Sequence, residues 1–121
     1  MAYWGYHSSL DCAGANLEQM TDRDNVINFS KTLVERIDMS PIGEPFVEFT
    51  APDDPEKAGF SLVQLIVTSN ITAHFVDSNQ TIYFDVFSCK KFDIETVKAT
   101  IVEFFGVTKM KVQSIVRDAL N

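Results

Sequence analysis

The spacing of apolar residues divides the chain into segments of two different periods. From Asp22 to Ile37, Val26, Phe29 (or Ser30), Leu33 and Ile37 recur at the intervals of a helix with one buried stripe, and Thr21 followed by Asp24 resembles a capping box that opens it. A second helical segment runs from Asp93, a good N-cap, through Val97, Ile101 and Phe104 or Phe105 to Gly106, which suits a C-cap. Elsewhere the period is that of strands. Residues 3 to 12 lead into the turn Asp11-Cys12-Ala13-Gly14, Glu44 to Thr50 alternates weakly, and Phe60 to Ser69 is the most apolar stretch, as a central strand requires. Ile71 to Val76 and Thr81 to Ser88 continue the strand pattern on either side of Asp77-Ser78-Asn79-Gln80, a hairpin tip. Val107 to Arg117 closes the chain with Met110 and Val112 on one face and Lys109 and Lys111 on the other.

Pro41 and Gly43 make Asp38 to Gly43 a loop, and Ala51 to Lys57 is a polar, turn-rich connection. The predicted order is strand, helix, three or four strands, helix, strand. Consecutive strands at hairpin spacing imply an antiparallel sheet, and two amphipathic helices cover only one of its faces. The expected fold is therefore α+β, a two-layer sandwich in one domain over residues 1–121. If Phe60 to Ser69 is one regular strand, Ser61, Val63, Leu65, Val67 and Ser69 share a face. A bend near Asn70 then lets the next strand carry His74 back beside Ser69, with Cys89 at the far end of the strand after that.

Composition narrows the function classes. The chain has 121 residues, 45% hydrophobic and 22% charged, which is ordinary for a soluble globule. Its net charge of -7 argues against nucleic acid, which needs a clustered cationic surface, and is compatible with a cationic small molecule. No apolar run reaches the length of about 20 residues that a membrane helix requires. Met1 to His7 lacks the basic region and apolar core of a signal peptide, so a cytoplasmic location is expected, with Cys12 and Cys89 as thiols.

The candidate chemistry lies in Ser61, Ser69, His74 and Cys89. A serine beside an apolar strand is able to attack its own peptide carbonyl, and a nearby imidazole and thiol move protons for the steps that follow. Taken singly, each has an ordinary structural use: a hydrogen-bonded turn serine, a histidine bonded to backbone, a cysteine packed as a small hydrophobe. The weight rests on their combination.

In combination they resemble the S-adenosylmethionine decarboxylase family in its short bacterial and archaeal form, over nearly the whole chain. Gly5-Tyr6-His7-Ser8-Ser9-Leu10-Asp11 with Gly14 is similar to the family's opening strand and turn, and Gly59-Phe60-Ser61 to its Gly-Val-Ser or Gly-Ile-Ser. Ser69, His74 and Cys89 fall at the spacings of its processing serine, its histidine and the cysteine of its Asp-Val-Phe-Thr-Cys motif. The resemblance implies a pyruvoyl enzyme made from its own backbone by cleavage between Thr68 and Ser69. Ser61 and His74 would assist cleavage, and the pyruvoyl group derived from Ser69 would condense with the substrate amine as an electron sink. Cys89 would return a proton to the substrate carbon. The implied substrate is S-adenosylmethionine, on the route to spermidine, and the implied assembly is a homodimer. Four differences stand near the site. Thr68 replaces the common glutamate before the serine and Asn70 the common histidine after it. His74-Phe75-Val76-Asp77-Ser78 keeps only the histidine of His-Thr-Trp-Pro-Glu, and Ala13 and Ala15 stand where tyrosine and cysteine are usual. These differences leave two alternatives open: an unprocessed, non-catalytic homologue with a binding or regulatory role, and a pyruvoyl decarboxylase of arginine or ornithine.

Overall fold

The computed structural model describes residues 3–121. One antiparallel sheet of six strands carries helices on one face. In chain order the elements are β1 (Gly5–Ala13), α1 (Leu17–Met20), α2 (Arg23–Arg36), β2 (Phe46–Thr50), β3 (Gly59–Ile66), β4 (Ser69–Val76), β5 (Thr81–Ser88), α3 (Ile94–Phe105) and β6 (Lys109–Arg117). The spatial order is β2-β3-β4-β5-β1-β6, so the hairpins β2 to β5 lie side by side and the two chain ends pair beyond them. The two-layer α+β expectation holds, with a one-turn helix α1 added ahead of the two long ones.

The helices form where their apolar stripes reach the sheet. Val26, Phe29, Ser30, Leu33 and Val34 of α2 are buried, as are Val97, Thr100, Ile101 and Phe105 of α3. Phe29, Phe75, Phe84 and Phe105 meet between the layers, with ring centroids 5.0 Å apart for Phe29 and Phe105 and 5.2 Å for Phe75 and Phe105. Asp93 caps α3 through the Glu95 N–H, and Gly106 ends it at φ +63°. The cap of α2 differs from the expected Thr21–Asp24 box. Thr21 closes α1, its hydroxyl donating to the Leu17 carbonyl, and Asp22 takes the Asp24 and Asn25 N–H groups instead. The extra helical turn uses up Thr21 before α2 begins.

A larger correction falls at Phe60 to Ser69. β3 stops at Ile66, Val67 and Thr68 form a two-residue turn, and Ser69 is already the first residue of β4, paired with Ile66. The two strands alternate independently. In β3, Leu62, Gln64 and Ile66 are buried against the helices while Ser61, Val63 and Leu65 face the open side. In β4, Ser69, Ile71, Ala73 and Phe75 point to the helices and His74 points to the open side. Ser61 and Ser69 therefore lie on opposite faces. The turn was hidden because both faces of β3 are largely apolar and its corner holds no glycine, asparagine or proline.

Candidate active site

Ser69 sits at the end of the sheet where the β3–β4 turn meets the end of β5. The residue is 5% exposed, and its register partner in β5 is Ser88. The Ser69 hydroxyl donates to Ser88 Oγ at 3.0 Å. Thr68, immediately before it, has φ +54°, a left-handed conformation that costs an L residue about 1–2 kcal/mol and is rarest for β-branched side chains. The turn is held there by sheet pairing on both sides, with Ile66 opposite Ser69 in β3 and Ser88 opposite it in β5. Beyond β5, Cys89 reaches back so that its Sγ lies 2.6 Å from Thr68 Oγ1. Thr68, Ser69 and Cys89 thus lie close together at this turn.

Ser61 and His74 are brought to each other but not to Ser69. They are register partners across β3 and β4, with Ser61 Oγ 2.8 Å from His74 Nδ1. Thr50 Oγ1 lies 2.8 Å from the same Ser61 hydroxyl and donates to the Gly59 carbonyl at 3.1 Å, so the pair is fixed from the edge strand β2. At roughly 3.4 Å per residue, residues 69 and 74 of β4 are about 17 Å apart, on opposite faces. The bend near Asn70 that would have returned His74 to Ser69 is absent, because β4 runs straight through that position in register with both neighbours.

Two participants escaped the sequence reading. Thr50 looked like the end of one weak strand and Ser88 like the end of another; only sheet register places them against Ser61 and Ser69. A third feature on the open face is His7, whose Nε2 lies 2.9 Å from Asp85 Oδ1. Near the same end, an open cavity of about 660 Å³ is lined by Trp4, Phe87, Ile115, Arg117 and Leu120. Trp4 stacks on Phe87 at 5.8 Å and the Arg117 guanidinium lies 5.0 Å from the same ring. Phe87, on the edge of this cavity, is the register partner of Asn70, the residue that follows Ser69 in β4. Burial, reinforced by Asp11, pushes the Cys12 thiol up to about 12, which makes it an inert core group rather than a second site. Among the described residues no group of three or more His, Cys, Asp and Glu is placed to hold a metal, and no helix is long and apolar enough to cross a membrane.

Fold and site together define a one-sheet α+β protein with a hydroxyl, a thiol and a strained peptide gathered at one hairpin turn. The family model described as S-adenosylmethionine decarboxylase matches residues 6–118, and the chain belongs to that family. Similar curated proteins include the S-adenosylmethionine decarboxylase proenzymes of Clostridium botulinum strain Loch Maree / Type A3, 30% identical, and strain Langeland / NCTC 10281 / Type F, 29% identical. Each aligns over 122 residues and the whole of both chains. The crystal structure of the adenosylmethionine decarboxylase from Aquifex aeolicus VF5 superposes with a TM-score of 0.81 over 100% of this chain and 96% of that one. At 15% identity that likeness concerns the fold.

Proposed function

We propose that the chain is the proenzyme of a pyruvoyl-dependent S-adenosylmethionine decarboxylase that cleaves itself between Thr68 and Ser69. The observation that carries this reading is the turn itself: a serine hydroxyl behind a β-branched residue at φ +54°, with a thiol 2.6 Å from that residue's hydroxyl. The full-length proenzyme relatives, 29–30% identical, support the substrate and the reaction class.

The residues present fit formation of the group. Ser69 Oγ bonds to the Thr68 carbonyl carbon, the bond from that carbon to the Ser69 nitrogen breaks, and the nitrogen takes up the hydroxyl proton. Loss of the Ser69 α-proton then breaks the Cβ–Oγ bond, and Thr68 leaves as a carboxylate that keeps Oγ. Water replaces the freed nitrogen, which departs as ammonia, and a ketone remains at the head of the C-terminal fragment. The strain held at Thr68 is released when its bond to Ser69 is cut. Once formed, the pyruvoyl group supplies an electron sink for loss of carbon dioxide from a bound amino acid. Cys89 stands beside the cleaved position, where its thiol has the reach to return a proton to the substrate carbon. The cavity lined by Trp4, Phe87 and Arg117 offers aromatic faces for an adenine ring and a guanidinium for a carboxylate.

Ser61 and His74 act, in this reading, from a second copy of the chain. They lie on the open sheet face, which also exposes Phe46, Val63 and Leu65, with Val67 exposed in the turn beside it. Two such faces packed about a two-fold axis bury those apolar residues, and the same contact can set one copy's Ser61–His74 end over the other's Thr68–Ser69 end, twice by symmetry. Intact mass of the purified protein tests the central claim, the expected result being two fragments divided between Thr68 and Ser69. Release of labelled carbon dioxide from carboxyl-labelled S-adenosylmethionine, lost in Ser69→Ala, is the companion result. A single full-length species after long incubation, with no carbon dioxide released, overturns the proposal. Release from arginine or ornithine in place of S-adenosylmethionine overturns the substrate alone.

A further inference from the structure

The one side chain with which the Ser69 hydroxyl hydrogen-bonds among the described residues is Ser88, fully buried and directly opposite it across β4 and β5. Ser88 Oγ is committed as an acceptor. One of its lone pairs takes the Ser69 proton at 3.0 Å and the other the Lys90 backbone N–H at 2.9 Å. Its own proton points to Met39 Sδ at 3.6 Å, a weak acceptor that does not compete for it strongly. The far side of this arrangement is anchored as well: Lys90 Nζ donates to the Asp38 carbonyl at 2.7 Å and to Asp38 Oδ2 at 3.0 Å, which ties the Met39 loop to the end of β5.

A hydroxyl held in this way fixes both the rotamer of Ser69 and the direction of its proton, and leaves the Ser69 lone pairs free. Attack on the Thr68 carbonyl is an intramolecular step whose rate depends on that rotamer. The Ser61–His74 pair is about 17 Å along the strand on the opposite face, so within the chain the task falls to β5.

We propose that Ser88 is the positioning residue for self-cleavage, holding the Ser69 hydroxyl in the orientation from which it attacks Thr68. The inference rests on the processing reading above and adds a residue to it. Ser88 forms and breaks no covalent bond; the proton that leaves Ser69 Oγ ends on the Ser69 nitrogen as the peptide bond breaks. The competing description is a cross-strand serine pair that contributes only stability.

The test follows self-cleavage of wild type, Ser88→Ala, Ser88→Thr and Ser69→Ala by intact mass. It is paired with short hydroxylamine pulses that cut the ester but not the peptide, and with thermal melting of Ser69→Ala and of the double variant Ser69→Ala/Ser88→Ala, in which nothing is cleaved. Ser88→Ala is expected to slow cleavage roughly 10- to 100-fold, the effect of letting a nucleophile drift by up to about 1 Å. Its hydroxylamine-sensitive fraction should fall in parallel, with Ser88→Thr restoring both because it keeps the hydroxyl. If Ser88→Ala does not fold, Ser88→Cys, near in size but a weaker acceptor, is expected to show the same slowing. Equal rates and equal ester in wild type and Ser88→Ala overturn the role of Ser88 alone, as does a loss that Ser88→Thr fails to restore while folding normally. A wild-type chain that neither cleaves nor yields ester overturns the processing reading, and this inference with it.

Discussion

Co-expression of Ser69→Ala with His74→Ala asks whether one copy of the chain completes the site of another. Ser69→Ala lacks the nucleophile but keeps Ser61 and His74; His74→Ala keeps the nucleophile but lacks the imidazole. About 17 Å of β4 separates the two positions, and they face opposite sides of the sheet. A proton-transfer partner has to come within about 3 Å, so His74 cannot serve Ser69 of its own chain without dismantling the strand. If the partner copy supplies it, random pairing at equal expression puts about half of the His74→Ala chains beside a Ser69→Ala chain. Cleavage should then convert about half of the His74→Ala chains and none of the Ser69→Ala chains. His74→Ala alone should be slowed about 10²- to 10⁴-fold, the usual weight of a general acid or base. Intact mass distinguishes the two because the C-terminal fragment of His74→Ala carries its own substitution. Wild-type cleavage by His74→Ala alone would refute the reasoning. So would a mixture that forms mixed dimers and stays as slow as His74→Ala alone.

Three further outcomes follow from individual positions. A Cβ at Gly59 would lie 1.9 Å from the Phe75 carbonyl oxygen, a backbone atom that cannot rotate away. Gly59→Ala should therefore cost about 3 kcal/mol or more in urea unfolding, and a loss near zero would show that β3 and β4 can part there. Asp77 has a buried oxygen with no partner, and desolvation holds its carboxyl above the usual range. The folded state thus keeps the proton longer than the unfolded chain does. This costs stability progressively as pH rises from the ordinary carboxylate pKa through the raised folded one. Asp77→Asn should raise the melting temperature at pH 7 and leave it nearly unchanged below the carboxylate range; a gain that is equal at both pH values would place its cause elsewhere. Finally, a thiol reagent at pH 8 should modify Cys89 and spare Cys12, whose thiol burial pushes up to about 12, until the protein is unfolded. Equal labelling of both in the native protein would contradict the packing of β1.

The periodic segments were legible because their burial pattern is written locally. The stripe of Val26, Phe29 and Leu33, the Asp93 cap and the Gly106 stop each depend on neighbours within a turn or two of the helix. Ser61, Ser69, His74 and Cys89 were likewise legible as a set of residue types at a fixed spacing. Their partners were not. Thr50 reaches Ser61 from eleven residues away by chain, and Ser88 meets Ser69 across the β4–β5 pair. A strand carries no local mark of which residue will lie opposite.

The sequence by itself determined that two amphipathic helices and a run of antiparallel strands make one α+β layer pair, and which side chains are available for chemistry. Only the tertiary structure decided how those side chains divide. A strand's side-chain period is two, so the position of one unmarked turn at Val67-Thr68 sets the face of everything beyond it. That turn turned Ser69 toward Ser88 and the helices and left His74 with Ser61 on the open face. The outcome was fixed by sheet register across the β3–β4 and β4–β5 pairs, which are contacts between segments, and no local pattern encodes them.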